Sequence, residues 1–343
     1  MKKNQASLKD IAKALNLSIS TVSRALRDTG EIHPETQKIV LELAEKLQYK
    51  PNPLAMGLLK NRTHTIGVII PEIENSYFSN ILRGIDKIAD ENGFRLITSY
   101  TNESQKAEVR AVNDLLCSRV DGIIACPANE LTDYVHFQNL VDDEFPIVHI
   151  DRDCPELITT KILTNNFTSA LIMVDYLVEA GCRRIALITN LEPLSVGRQR
   201  YDGYQEALRK HQIPFDRKLI IHGNLGITTS IEAAKNLLEL DPLPDAIICN
   251  NDTVAMATMK VLKDNGLKIP EDISVIGFSD DHFSSFLEPA LTTVSQPAYL
   301  IGMKAMELIL QMLNNEIPIN KDIRIVLDSA VVIRNSTKAS LIK

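Results

Sequence analysis

Arg24 closes a run in which Ser18, Ile19, Ser20, Thr21 and Ser23 precede it. A guanidinium is a flat fork of N–H donors that pairs with a guanine edge, and small hydroxyls reach phosphate oxygens or base edges. A short helix with that face suits the major groove of duplex DNA. A second set is scattered downstream: Ser76, Tyr77 and Phe78; Asp151 and Arg152; Asn165 and Asn166; Arg198 and Arg200; Asn250 and Asn251; Ser279 and Asp280. Carboxylates, amides and guanidinium groups beside an aromatic plate suit a polyhydroxylated small molecule. Each hydroxyl both donates and accepts, and charged partners make the stronger bonds. Singly, each of these residues reads equally well as a helix cap or turn residue, Asn75 and Asp252 above all.

Catalysis is not expected. No H-E-x-x-H, G-x-S-x-G, G-x-G-x-x-G or P-loop pattern occurs, so neither a metal nor a nucleotide cofactor is signalled. The seven histidines and five cysteines are dispersed. Without a C-x-x-C pair, the cysteines read as reduced, mostly buried thiols of a cytosolic protein.

The elements that must carry the first set are short. Leu8, Ile11, Ala12 and Leu15 form one helical stripe; Leu17, Val22, Ala25 and Leu26 form another. Ser7 and Asp10 have the spacing of a capping pair, Asn16 sits at a turn that needs a left-handed backbone, and Ser18 can cap the second helix. Pro34 opens a third helix with Ile39, Val40, Leu43, Ala44 and Leu47 on one face. From Lys50 to Thr63, Pro51 and Pro53 enforce an extended start, and Pro53 can begin a short helix over 54–59.

From His64 the pattern changes. Eight short β-branched runs, at 65–71, 94–100, 120–127, 146–152, 183–189, 218–223, 245–251 and 274–280, show no polar alternation. Helical patterns intervene at Tyr77–Asn92, Gln105–Leu116, Ser169–Ala180, Arg200–Lys210, Ser230–Leu240 and Thr253–Asn265. This predicts an α/β fold: an all-α headpiece, then two doubly wound lobes of parallel sheet covered on both faces, divided near Leu163–Thr168. The scattered polar set follows strand ends, where open α/β sheets bind ligands, and here that is the cleft between lobes.

Charge is distributed to match. The 343 residues carry a formal −7, yet Met1–Arg62 holds eleven Lys and Arg against six Asp and Glu, which leaves −12 on the remainder. A basic head on an acidic body fits phosphate contact at one end. Met1-Lys2-Lys3-Asn4 leads into the first helix with no hydrophobic signal core, and no run approaches 18 apolar residues, so neither export nor a membrane partner is expected.

The run K-D-I-A-K-x-L-x-x-S-x-S-T-V-S-R-A-L, Lys9 to Leu26, resembles the DNA-binding headpiece of LacI/GalR transcription regulators. Further matches are I-D-R at 150–152, R-x-x-G-Y at 200–204, N-D at 251–252 and G-F-S-D at 277–280. The resemblance implies a headpiece over 1–49, a hinge over 50–63 and a periplasmic-binding-protein-like type I core over 64–337. Within the core it implies an N-lobe at about 64–164 plus 296–325 and a C-lobe at about 165–292 plus 326–337. It also implies a homodimer on a pseudo-palindromic operator, a sugar-type effector gripped by Arg200, and a leucine wedge at Leu58 with Ala55 packed nearby, entering the minor groove. Where the family commonly has A-R-S-L-K this chain has Ala55-Met56-Gly57-Leu58-Leu59: a helical glycine costs about 1 kcal/mol, and an arginine and a lysine are lost at Met56 and Leu59. Ser279 stands where the family often has an acid. Two rivals from other classes remain at this point: a sugar-binding protein of the uptake type without DNA function, and a sugar-modifying enzyme on the same layers.

Overall fold

The chain separates between Thr63 and His64 into two units, each with its own core. The computed structural model describes residues 6–26, 31–49, 62–73, 76–129, 133–191, 196–223, 226–319 and 321–339.

The small unit consists of α1 (Leu8–Leu15), α2 (Ile19–Ala25) and α3 (Pro34–Lys46). Ser7 and Asp10 form the reciprocal capping box, and Asn16 ends α1 at φ 54°, ψ 39°, a conformation asparagine tolerates. Ser18 caps α2 through the Thr21 amide at 3.0 Å. Ile11, Ala12, Val22, Ala25, Val40 and Ala44 make the core. Ile39 and Leu47, expected on the buried face of α3, are 52% and 38% exposed. Three short helices bury only a narrow stripe of α3, and these two residues flank it.

The large unit holds two parallel sheets. The first has the order β11-β5-β4-β3-β1-β2, from β1 (Thr65–Ile70), β2 (Arg95–Tyr100), β3 (Gly122–Ala125), β4 (Ile147–Ile150), β5 (Thr160–Thr164) and β11 (Arg324–Leu327). The second has the order β7-β6-β8-β9, from β6 (Ile185–Thr189), β7 (Ile220–His222), β8 (Ala246–Cys249) and β9 (Ser274–Ile276). An antiparallel ribbon of β10 (Thr293–Ser295) and β12 (Ala330–Val332) joins the second sheet through bridges Ile276–Thr292 and Ser279–Ser295. Helices α4 (Ser76–Glu91), α5 (Gln105–Cys117), α6 (Val135–Asp142) and α11 (Ala298–Leu313) cover the first sheet. Helices α7 (Asn166–Glu179), α8 (Val196–Lys210), α9 (Ile227–Leu238) and α10 (Asp252–Asp264) cover the second.

All eight expected runs form strands, and the α/β class with parallel sheets holds. Coverage is incomplete at edge β2, where Ile97 and Tyr100 are 38% and 44% exposed. Strand β5 and helix α6 were not expected. In β5 a lysine interrupts the apolar pattern, yet Lys161 is 1% exposed, its Nζ donating to the Cys154 carbonyl at 2.6 Å and facing Asp153 at 3.3 Å. Strand β11 lies whole in the first sheet, two residues past the expected limit of 325. Helices α7 and α8 begin three and four residues before their apolar patterns, their first turns being Asn166-Phe167-Thr168, with Phe167 exposed, and Val196-Gly197-Arg198-Gln199. Four of the five cysteines are buried and none is in a disulfide; Cys117 is exposed.

Helices α4 and α11 cross with backbones in contact. A methyl group at Gly84 would overlap the Tyr299 carbonyl, and one at Gly302 the Ile81 carbonyl. Gly302→Ala must therefore push the helices apart. It is expected to lower unfolding stability by about 1–3 kcal/mol, the usual cost of overpacking, seen as a lower urea midpoint at unchanged slope.

Candidate functional site

In the small unit, the Ser18 hydroxyl is committed to the helix cap and also contacts Ser20 Oγ at 2.7 Å and Thr21 Oγ1 at 2.8 Å. Ser7 is likewise a cap, donating from N and Oγ to Asp10. Ile19 is 44% exposed, Ser20 is exposed, and Thr21 and Ser23 are half-buried. Arg24 is exposed and meets Glu31 only at 3.5 Å, a surface pair whose median worth is about 0–1 kcal/mol. Val22 and Ala25 point inward, so the same turns that bury the core present Ile19, Ser20 and Arg24 to solvent. Ala55 and Leu58 lie outside the described residues.

In the large unit a cavity of about 230 Å³ opens between the two sheets. Among the expected residues, Tyr77, Phe78, Asp151, Arg152, Arg200, Asn250, Asn251 and Ser279 line it. Four others are placed elsewhere. Asn165 caps α7, accepting from the Thr168 amide at 3.2 Å; its neighbour Asn166 reaches Arg200 instead. Asp280 accepts from Arg334 Nη2 at 2.6 Å, turned there by consecutive left-handed residues, Ser279 at φ 121° and Asp280 at φ 56°. The Ser76 hydroxyl donates to Asp281, joining the N-terminus of α4 to the second lobe. Arg198 pairs with Asp202 on the surface of α8. Asp252 is a structural knot, accepting from the Asp281 amide, Ser284 Oγ and Thr293 Oγ1 at 2.8, 2.5 and 2.5 Å. Burial raises its carboxyl above the usual range, against the lowering effect of those bonds.

Glu72, Glu103, Asn129, Asn190 and Gln296 also line the cavity and were missed. Four of them follow the ends of β1, β2, β3 and β6, so the strand-end rule that found the others reaches them too. Gln296 follows β10, a strand the pattern did not show; its Nε2 donates to Thr164 Oγ1 at 3.3 Å.

Two buried guanidinium groups dominate the cleft. Arg152 donates from Nη1 and Nη2 to the two oxygens of Glu103, both at 2.7 Å, and from Nη1 to the Pro127 carbonyl at 2.6 Å. Arg200 donates from Nε to Asn166 Oδ1 at 2.9 Å and from Nη1 to the Asn250 carbonyl, with its Cζ 3.4 Å from the centre of the Phe278 ring. Nη2 has no partner among the described residues. Burial lowers Arg200 to about 10, opposed by the more distant charge of Asp151. Asp151, buried at φ 67°, accepts from the Tyr77 hydroxyl at 2.7 Å. Burial and that carboxylate push the Tyr77 hydroxyl well above its ordinary value. Hydrogen-bond donors and acceptors from both lobes thus converge on one small volume, an arrangement for binding a polar molecule. Among the described residues, no group of three or more His, Cys, Asp or Glu is placed to hold a metal ion, and no helix is long and apolar enough to cross a membrane.

Residues 7–52 match bacterial regulatory proteins of the lacI family, and residues 174–337 match a periplasmic binding protein-like domain. The chain is 31% identical over 337 residues to the HTH-type transcriptional repressor CytR of Escherichia coli (strain K12), covering 97% of each chain. This chain belongs to the LacI family. Other LacI-family relatives agree: catabolite control protein A of Priestia megaterium is 33% identical over 317 residues, covering 90% of this chain and 92% of its own. Among solved structures, the lac repressor dimer bound to operator and the anti-inducer ONPF superposes with a TM-score of 0.85 at 26% identity, covering 98% of this chain and 100% of that one. The regulator CelR in complex with cellobiose gives 0.73 at 26%, covering 96% and 99%. The family resemblance read from Lys9–Leu26 therefore holds, and the chain is a DNA-binding transcription regulator. The rival reading as a binding protein without DNA function fails on the match over 7–52.

Arg24→Ala removes the one guanidinium on the exposed face of α2. It is expected to weaken specific binding by about 1–3 kcal/mol per half-site while leaving random-DNA binding nearly unchanged. Competition titrations of operator against random duplex check this.

Proposed function

We propose that this chain is a cytoplasmic repressor that grips a pseudo-palindromic operator as a homodimer, and that a polyhydroxylated small molecule, a sugar or sugar derivative, sets its operator affinity from the interlobe cleft. The observation that carries this reading is Arg200: a buried guanidinium, satisfied by a carbonyl, an amide and an aromatic face, with Nη2 unpartnered among the described residues, in a side chain that lines a cavity between the lobes. A ligand hydroxyl accepting from Nη2 completes it, and charge-assisted bonds of this kind are the strong ones. The relatives support the same division of labour, since one is solved with operator and anti-inducer and another with cellobiose. Two-fold pairing doubles the contacts of a headpiece that reads only a few base pairs. The role is regulatory and not catalytic.

Coupling follows from linkage. A ligand that binds one lobe arrangement better shifts operator affinity by its differential affinity, typically about 1–3 kcal/mol. The hinge segment over 50–63, with the wedge assigned to Leu58 and Ala55 packed nearby, is the route proposed for that shift.

The test is Arg200→Ala, assayed against a panel of neutral and acidic monosaccharides by calorimetry and by operator gel shift. The variant is expected to bind operator as the parent does and to lose both affinity for, and response to, whichever sugar the parent binds. Undiminished sugar affinity in the variant contradicts the assignment.

A further inference from the structure

We propose that Glu103 fixes the charge preference of the cleft, so that the effector is an uncharged polyhydroxylated molecule and its phosphorylated or carboxylated counterparts are rejected. The inference rests on the reading of the cleft as the effector site. A free arginine on a binding wall draws phosphate or carboxylate, because its planar fork matches those groups bidentately. Arg152 stands where it would do so, yet both its terminal nitrogens are already bonded to protein. Glu103 occupies both terminal nitrogens, the Pro127 carbonyl takes a further bond, and Nε is buried 3.9 Å from Asp151. Only 7% of the Arg152 side chain is exposed, against 38% for Glu103, so the carboxylate lies over the cation on the side solvent reaches.

The surrounding backbone presents Glu103 for this task. Asn102 and Glu103 are both left-handed, at φ 48° and 64°, an uncommon conformation for consecutive residues other than glycine. Glu103 Oε2 also accepts from the Asn129 amide at 2.9 Å, so one carboxylate ties together the loops that follow β2, β3 and β4.

What remains at the cavity is rich in acceptors. Asn129 Oδ1 is buried without a partner, and Asp151 is a buried carboxylate. Among the described lining residues, Glu72, Glu103 and Asp151 outnumber Arg152 and Arg200. An anionic ligand would lose its hydration against acceptors of its own sign, with Arg200 Nη2 as the charged donor open to it among the described lining residues. A neutral polyol supplies O–H donors to those acceptors and accepts from Arg200 with the same hydroxyls.

Two measurements on the full-length chain test this. The first compares matched probes by calorimetry: D-glucose with glucose 6-phosphate and glucuronate, D-galactose with galacturonate, and D-ribose with ribose 5-phosphate. In any set that binds, the neutral member is expected to bind at least tenfold more tightly; tighter binding of an anionic member overturns the inference. The second uses inorganic phosphate, compared with chloride at equal ionic strength, as the probe in thermal unfolding. Glu103→Gln frees Arg152 and is expected to gain a phosphate-dependent rise in midpoint that wild type lacks and that Glu103→Gln/Arg152→Gln loses again. Anion binding by the headpiece is common to all three chains and cancels. An equal rise in wild type, or none in Glu103→Gln, overturns the inference. If the phosphate result is as expected and no sugar binds, it is the effector reading that fails. The sugar comparison on wild type needs no variant, so misfolding of Glu103→Gln does not shelter the inference.

Discussion

Burial of two guanidinium groups between two sheets is the constraint on which the rest of this cleft depends. An arginine always carries its charge, and a buried charge without partners costs several kcal/mol, so each needs a shell of acceptors held in place. The two are satisfied in opposite ways. Arg152 has a carboxylate of its own, Glu103, in bidentate geometry. Arg200 has a carbonyl, an amide and the face of Phe278, and keeps Nη2 for something else. The first arrangement closes a wall, and the second leaves a binding arm.

The topology supplies those shells. Both sheets are parallel, so each directs its strand ends and the following loops toward one cavity. The chain passes between the lobes three times: after β5, after β10 and after β11. Two of these crossings are pinned to each other by the Gln296–Thr164 bond, and Ser76–Asp281 adds a link from helix α4. Close approach of α4 and α11 at Gly84 and Gly302 fixes where α4 begins, and with it Tyr77 and Phe78. A small core decision at two glycines is therefore felt at the cleft.

Much of this was legible in the sequence wherever the signal is local. Capping at Ser7 and Ser18, the turn at Asn16 and the face of α2 are all settled within four residues of chain, and the structure reproduces them. Strand-end placement singles out Tyr77, Asp151, Arg152 and Arg200, and these line one cavity. The failures have two causes: a partner beyond the local stretch of chain, or a side chain spent on capping its own helix. Lys161 hides a buried strand because its charge is met by Asp153 and the Cys154 carbonyl. Asp280 leaves the cleft because Arg334 claims it, and Asn165 because its side chain is used as a helix cap. Glu103 stands just past β2, within reach of the strand-end rule, but its role exists only once the loops of three strands meet around Arg152. The described residues do not include Ala55 or Leu58.

The central claim is that occupancy of the cleft and grip on DNA are one linked equilibrium. Linkage requires the factor by which a bound sugar changes operator affinity to equal the factor by which bound operator changes sugar affinity. Measuring both dissociation constants, each with and without the other ligand, tests this directly on the full-length chain. The account predicts one shared factor of about 5–150. A sugar that binds in the cleft with the same affinity whether or not operator is present would contradict it.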